Sequence, residues 1–166
     1  SYLIQKGHKD IGFVGTVGGT TSITDRYLGF MRGILETGRA PNQEWVIPDR
    51  NEDGAAIELM LPERLPTAFV CNCDETAFRL VKTLKAKGIR VPEDISVTGY
   101  DNSLMSAGSL CLTTIAHPQE KLGEMAAELL LEKIREVPEE KSQIPRLIQP
   151  ELIPGNSVKD RRKQEE

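Results

Sequence analysis

Several apolar, β-branched runs in this chain give way directly to polar, planar side chains. Ala68–Cys71 opens into Asn72-Cys73-Asp74, and Ile95-Ser96-Val97-Thr98 runs through Gly99 and Tyr100 into Asp101-Asn102. Ile11–Val14 is followed by a Gly- and Thr-rich loop and then by Arg26. A guanidinium set among carboxylates and amides can engage neighbouring hydroxyl groups of one ligand two at a time. Such groups hold and orient a ligand, and they break no bond in it. Taken singly, each has a plainer reading: Asp-Asn suits a turn, and Arg26 suits the solvated first turn of a helix. Their joint placement is what argues for a site, because loops at one edge of a parallel sheet converge on a crevice.

Other chemistries lack their residues. The loop Gly15–Ser22 has neither the G-K-[S/T] of a phosphate loop nor the G-x-G-x-x-G spacing of a dinucleotide site. There is no G-x-S-x-G elbow and no H-E-x-x-H. His117 stands before Pro118 with no nucleophile beside it in the sequence, and reads as a polar ligand-facing or turn residue. The three cysteines, Cys71, Cys73 and Cys111, are odd in number, and C-N-C is neither a zinc-knuckle nor a redox spacing. With only two histidines for company they read as reduced, buried thiols of a cytosolic protein. Neither metal nor cofactor is expected.

The elements that must carry these residues follow from pattern. Ile11–Val14, Trp45–Ile47, Ala68–Cys71 and Ile95–Thr98 read as strands. Helices are expected from a cap at Thr24 or Asp25 through Leu35, from a cap at Asp53 through Ala56, Ile57 and Met60 towards Pro62, and from Asp74 to Lys87. This β-α-β-α-β-α-β alternation implies parallel strands joined by right-handed crossovers. Leu112–Ile115 is a further β-type run, Pro118 starts a helix that Pro138 closes, and Pro145 to Ile153 reads as extended. Tyr2–Lys6 reads as the last turn of a helix closed by Gly7, so the chain is expected to be a fragment of a longer one. At 166 residues it fills about one domain. A net charge of -4 offers no global basic field for nucleic acid, and no apolar run reaches the ~20 residues that span a bilayer.

The blocks G-H-K-D-I-G-F-V-G (7–15), D-R-Y-L-G-F (25–30), P-T-A-F-V-C-N (66–72), G-I-R-V-P-E-D-I-S-V-T-G-Y-D-N (88–102) and L-T-T-I-A-H-P (112–118) resemble, in this order, the LacI/GalR family of bacterial transcription repressors. The resemblance covers about residues 7 to 155. It implies a three-layer α/β/α sandwich with a parallel sheet, of the periplasmic-binding-protein-like type I fold, mainly its C-terminal lobe. Residues 1–116 and 146–158 would form that lobe and 117–145 a crossover helix belonging to an N-terminal lobe outside this chain; 159–166, all charged or polar, is expected from its composition to be a disordered tail. The resemblance further implies a small-molecule effector, a sugar or sometimes a purine, and operator DNA reached through a helix-turn-helix domain that this chain lacks. A cytoplasmic homodimer is implied as well, its interface using helix 74–87 and the loop near 102–110, with Phe78 and Leu104. Carried over position by position, Arg26 and Asp101 match the family's effector contacts, Asn72 a polar contact, and His117 a position where the crossing strand offers one. Cys73 looks like an insertion, which leaves open whether Asn72 or Asp74 faces the ligand. Arg50 falls where many members place an aromatic ring, and a cation there favours a more polar or charged effector. The competing reading is a transport-type sugar-binding protein of the same fold.

Overall fold

In a computed structural model, residues 1–103, 110–135 and 147–162 are described. Four strands form one parallel sheet in the order β2-β1-β3-β4. They are β1 (Ile11–Val14), β2 (Val46–Ile47), β3 (Ala68–Cys71) and β4 (Ser96–Thr98). β1 pairs along its length with β3, Ile11 opposite Ala68 and Val14 opposite Cys71. β5 (Thr114–Ala116) pairs antiparallel with β6 (Glu151–Ile153). Parallel bridges from Thr98 to Thr113 and from Asp101 to Ala116 lay the β5 segment alongside the end of β4.

Strand alternation sorts the core into two faces. Val14, Phe69, Cys71 and Val97 turn towards α3 (Asp74–Ala86), where Ala77, Leu80 and Leu84 are fully buried. Ile11, Phe13 and Ala68 turn the other way, towards α1 (Tyr2–Gln5) and α2 (Thr21–Leu35), meeting Leu3, Ile23, Phe30 and Ile34. Helices therefore cover both faces of the parallel sheet, as the sequence implied.

Four expectations need correction, the first being the buried thiols: Cys71 is buried, but Cys73 is half-buried and Cys111 exposed. No helix forms between β2 and β3. Asn51 instead closes a turn on Ala55, its backbone N–H donating to the Ala55 carbonyl and its Oδ1 accepting from Ala55 N. Gly54, at a φ of 80°, lies at the corner, a conformation only glycine adopts freely. Beyond it side chains alternate: Leu59 is buried and Leu61 packs on the α3-side core, while Met60 between them is 75% exposed. The cap of α2 is Thr20, whose side chain accepts from Ile23 N, rather than Thr24 or Asp25, which lie inside the helix. Residues 159–162 do not fray. Lys159 N donates to Ser96 Oγ, Arg161 N donates to the Lys6 carbonyl, and the Lys159 carbonyl meets the buried His8 ring.

α4 (Gln119–Ile134) follows Pro118 and buries none of its residues, with Leu122, Leu130, Leu131 and Ile134 exposed along it. Phe78 is partly buried against the α3-side core. Leu104, Pro138, Pro145 and the chain beyond Arg162 lie outside the described residues. Among the described residues no helix is long and apolar enough to cross a membrane.

Candidate functional site

Each strand of the parallel sheet delivers a polar residue at its carboxyl end: Thr16 after β1, Asp49 and Arg50 after β2, Asn72 after β3, and Tyr100 and Asp101 after β4. His117 follows β5, which runs beside β4. Because β1, β3 and β4 are neighbours running in one direction, Gly15, Cys71 and Gly99 end at the same edge.

Arg26, in the second turn of α2, reaches into the centre of this edge. Its Nη1 donates to the Asn72 carbonyl at 2.7 Å, and its Nη2 lies 3.7 Å from Asp101 Oδ1. The guanidinium carbon sits 3.9 Å from the Tyr100 ring centroid, a cation–π contact that fixes its plane. His117 packs edge-on with Tyr100, their ring centroids 4.9 Å apart, with its Nε2 3.3 Å from Asp101 Oδ1. The Asp101 side chain stays 42% exposed. Its backbone is at a φ of 111°, followed by Asn102 at 53°, and the Asp101 N–H donates to the Ile115 carbonyl at 2.8 Å. Consecutive non-glycine residues in the left-handed region are costly, by about 1–3 kcal/mol each, and such strain concentrates at ligand sites. Here it turns a carboxylate outward between an arginine and a histidine.

A second group lies beneath the first. The Asp49 side chain is fully buried. Its Oδ1 accepts from Thr16 N (2.8 Å) and Thr16 Oγ1 (3.1 Å). Its Oδ2 accepts from Thr76 Oγ1 (2.8 Å), Asn72 Nδ2 (3.2 Å) and Arg50 Nε (3.3 Å). Burial by itself would raise this carboxyl's pKa, but the bonds from Thr76, Thr16 and Asn72 together hold it below the ordinary carboxylate range. Asn72 Oδ1 is buried with no hydrogen-bond partner among the described residues, so this edge keeps one acceptor in reserve.

The expected residues thus divide. Arg26, Asn72, Asp101 and His117 come together, with Arg50 at the β2 end of the same edge. Asp74 is turned inward. Its carboxylate is buried, Oδ1 accepting from Thr114 Oγ1 at 2.6 Å and Oδ2 from Ser103 N at 2.7 Å, so it ties α3 to the loop after β4 and to the first residue of β5. Gly99 leaves room for that carboxylate, since a Cβ there would strike Asp74 Oδ1. Asp49 and Tyr100 were not singled out from the sequence. Asp49 lies two residues past its strand, as Asn72 lies one and Asp101 three past theirs, and a polar residue within three positions of a parallel strand's end was the available signal.

A sheet-edge site of this kind, on a doubly covered parallel sheet, belongs to ligand-binding α/β domains. Residues 1–158 match the periplasmic binding protein-like domain family, and the chain belongs to that family. Among curated relatives it is 40% identical over 165 residues to the HTH-type transcriptional repressor PurR of Pasteurella multocida (strain Pm70), covering 96% of this chain and 49% of the relative. It is 34% identical over 168 residues to PurR of Glaesserella parasuis serovar 5 (strain SH0165), with the same coverages. The chain spans about half the length of the curated relatives it matches. Among solved structures, a transcriptional regulator LacI from Bacillus cereus subsp. cytotoxis superimposes with a TM-score of 0.76 at 27% identity, over 96% of this chain and 57% of that one. The Escherichia coli transcriptional repressor ascG has the same fold, with a TM-score of 0.78 at 23% identity over 95% of this chain and 58% of that one.

Proposed function

We propose that this chain is the effector-sensing part of a LacI-type, DNA-binding transcription regulator. A small hydroxyl-rich molecule, a sugar or a close relative, binds at the carboxyl edge of the sheet. Arg26 and Asp101 anchor it, and Asn72 and His117 set its orientation. Binding favours one arrangement of two lobes over another, and that difference in affinity between states is what changes DNA binding. Operator DNA is contacted by a separate helix-turn-helix domain, and the regulator works in the cytoplasm as a homodimer. α4, within the 117–145 segment, serves the N-terminal lobe, in keeping with the absence of any buried residue along it. No bond is made or broken, so the protein is not an enzyme.

The observation that carries this reading is the outward, strained Asp101 held between Arg26 and His117. The named repressors among its relatives favour it over a transport-type binding protein. Asp101→Ala in the protein as encoded should abolish the effector's influence on operator binding while leaving the far-ultraviolet circular dichroism unchanged. Titration calorimetry with the cognate effector checks this: an affinity within twofold of the parent's removes Asp101 from the site.

A further inference from the structure

The segment between the Asn51–Gly54 turn and Pro62 leaves main-chain groups without partners. Ile57 is tied inward, its N–H donating to the Asp49 carbonyl at 3.1 Å and its own carbonyl accepting from Arg79 Nη2. From Glu58 to Leu61, neither backbone nor side chain makes a hydrogen bond among the described residues. The side chains alternate as they do in a strand: Leu59 is buried and Leu61 packs on the α3-side core, while Glu58 and Met60 are exposed. In an extended chain the N–H and C=O of one residue point to the same side, and those of the next residue to the opposite side. With the Ile57 pair turned towards Asp49 and Arg79, the pairs of Glu58 and Met60 face outward. They form an open edge on a segment that Leu59 and Leu61 fix to the core.

This edge is acidic. Glu52, Asp53, Glu58 and Glu63 are all exposed, and no lysine or arginine lies between residues 51 and 63. Arg50 and Arg64 stand at its two ends, Arg50 turned to Asp49. A second copy of the chain paired here would set these carboxylates against themselves, and like charges across a strand pair are unfavourable.

We propose that the 58–61 edge docks an extended, basic peptide segment of another protein, which adds to it as a strand. Main-chain bonds to Glu58 and Met60 hold the segment. A lysine or arginine opposite Glu58 and an apolar side chain opposite Met60, two positions apart and on one face, give it its sequence preference. The surface uses none of the residues assigned to the effector and stands independently of that reading.

The test is an NMR titration of the protein as encoded with the peptide acetyl-Thr-Lys-Thr-Val-Thr-Lys-Thr-amide. Its controls are the same peptide with glutamate for lysine, and a version N-methylated at the lysines and the valine. The Glu58 and Met60 amide signals should move with the lysine peptide, and their hydrogen exchange should slow. Both controls should bind about tenfold more weakly, the glutamate peptide because of charge and the methylated one because its main chain cannot donate. Glu58 is exposed and unbonded, so Glu58→Lys should keep the fold and bring the lysine and glutamate peptides towards equal affinity. An unmoved Glu58–Leu61 stretch, equal binding of the methylated peptide, or an undiminished lysine preference in Glu58→Lys overturns the proposal. So do Glu58 and Met60 amides that are protected in the protein alone and lose that protection on dilution, since a second copy then occupies the edge.

Discussion

Removing the Asp49 carboxylate should cost far more stability than a residue at the end of a two-residue strand would suggest. Asp49→Ala strands the half-buried Thr16 N–H and the buried Asn72 amide, while the Thr16 and Thr76 hydroxyls can rotate. A stranded buried donor costs about 1–3 kcal/mol, so the pair costs about 2–6 kcal/mol. Water admitted to the vacated space returns part of that, and a net loss of about 3–4 kcal/mol is expected. In urea, with an m-value of about 2 kcal/mol/M, the unfolding midpoint should fall by about 1.5–2 M. Asp49→Asn keeps the shape but presents an NH2 to a set of donors, and should lose about 1–2 kcal/mol at pH 7. The sign of its pH dependence follows from the folded carboxyl titrating below its ordinary 3.8. The stabilisation is complete above pH 3.8 and disappears as the pH falls through the lower folded value. Parent and Asn variant should therefore converge in acid. A loss under 1 kcal/mol for Asp49→Ala at pH 7, with m unchanged, would refute the claim that this carboxylate organises the edge.

Two further outcomes concern the same scaffold. Burial holds the His8 imidazole below its ordinary 6.5, aided by Arg161 and opposed by the Lys159 carbonyl and Asp160. A histidine lowered in the folded state stabilises fully above pH 6.5 and loses that contribution as the pH drops below it. The melting temperature of the parent should thus fall more steeply than that of His8→Gln between pH 6.5 and 5, and parallel curves would exclude His8 as the cause. Gly99→Ala places a Cβ against Asp74 Oδ1 and should cost about 2–4 kcal/mol by expelling the carboxylate from Thr114 and Ser103. In a double-mutant cycle with Asp74→Ala the two losses should overlap; simple additivity would place the strain elsewhere.

The strands and their direction were readable because each is a short β-branched run punctuated by glycine or proline, and alternation with helices leaves parallel pairing as the natural outcome. The segment after β2 was misread for a reason visible in its own residues. Ala56, Ile57 and Met60 fit a helical face, but Ile57, Leu59 and Leu61 fit an alternating one equally well. Over so few residues periodicity cannot decide. The turn chemistry of Asn51 and Gly54 decides it, and Met60 is left outside. The anchoring of 159–162 was hidden for a different reason. Lys159, Asp160, Arg161 and Arg162 look like a solvated end, and only the return of the chain past Ser96, Lys6 and Asp94 gives their backbone and side chains partners.

The site shows where sequence reasoning reaches its natural boundary. Asp49, Asp74 and Asp101 all lie just beyond parallel strands, and nothing in their immediate neighbours ranks them as ligand contacts. Their fates are set by what other elements bring. Thr16 and Thr76 arrive at Asp49 and absorb it; Thr114 and Ser103 arrive at Asp74 and absorb that too. At Asp101 no hydroxyl arrives among the described residues. The groups that meet it are Arg26 and His117, both themselves partly exposed, and its backbone is held in the left-handed region by the bond to Ile115. Asp101 is thus the carboxylate of the three that stays accessible and strained while Asp49 and Asp74 are buried, which is why the proposed contact to an effector's hydroxyls is placed on Asp101 rather than on Asp74.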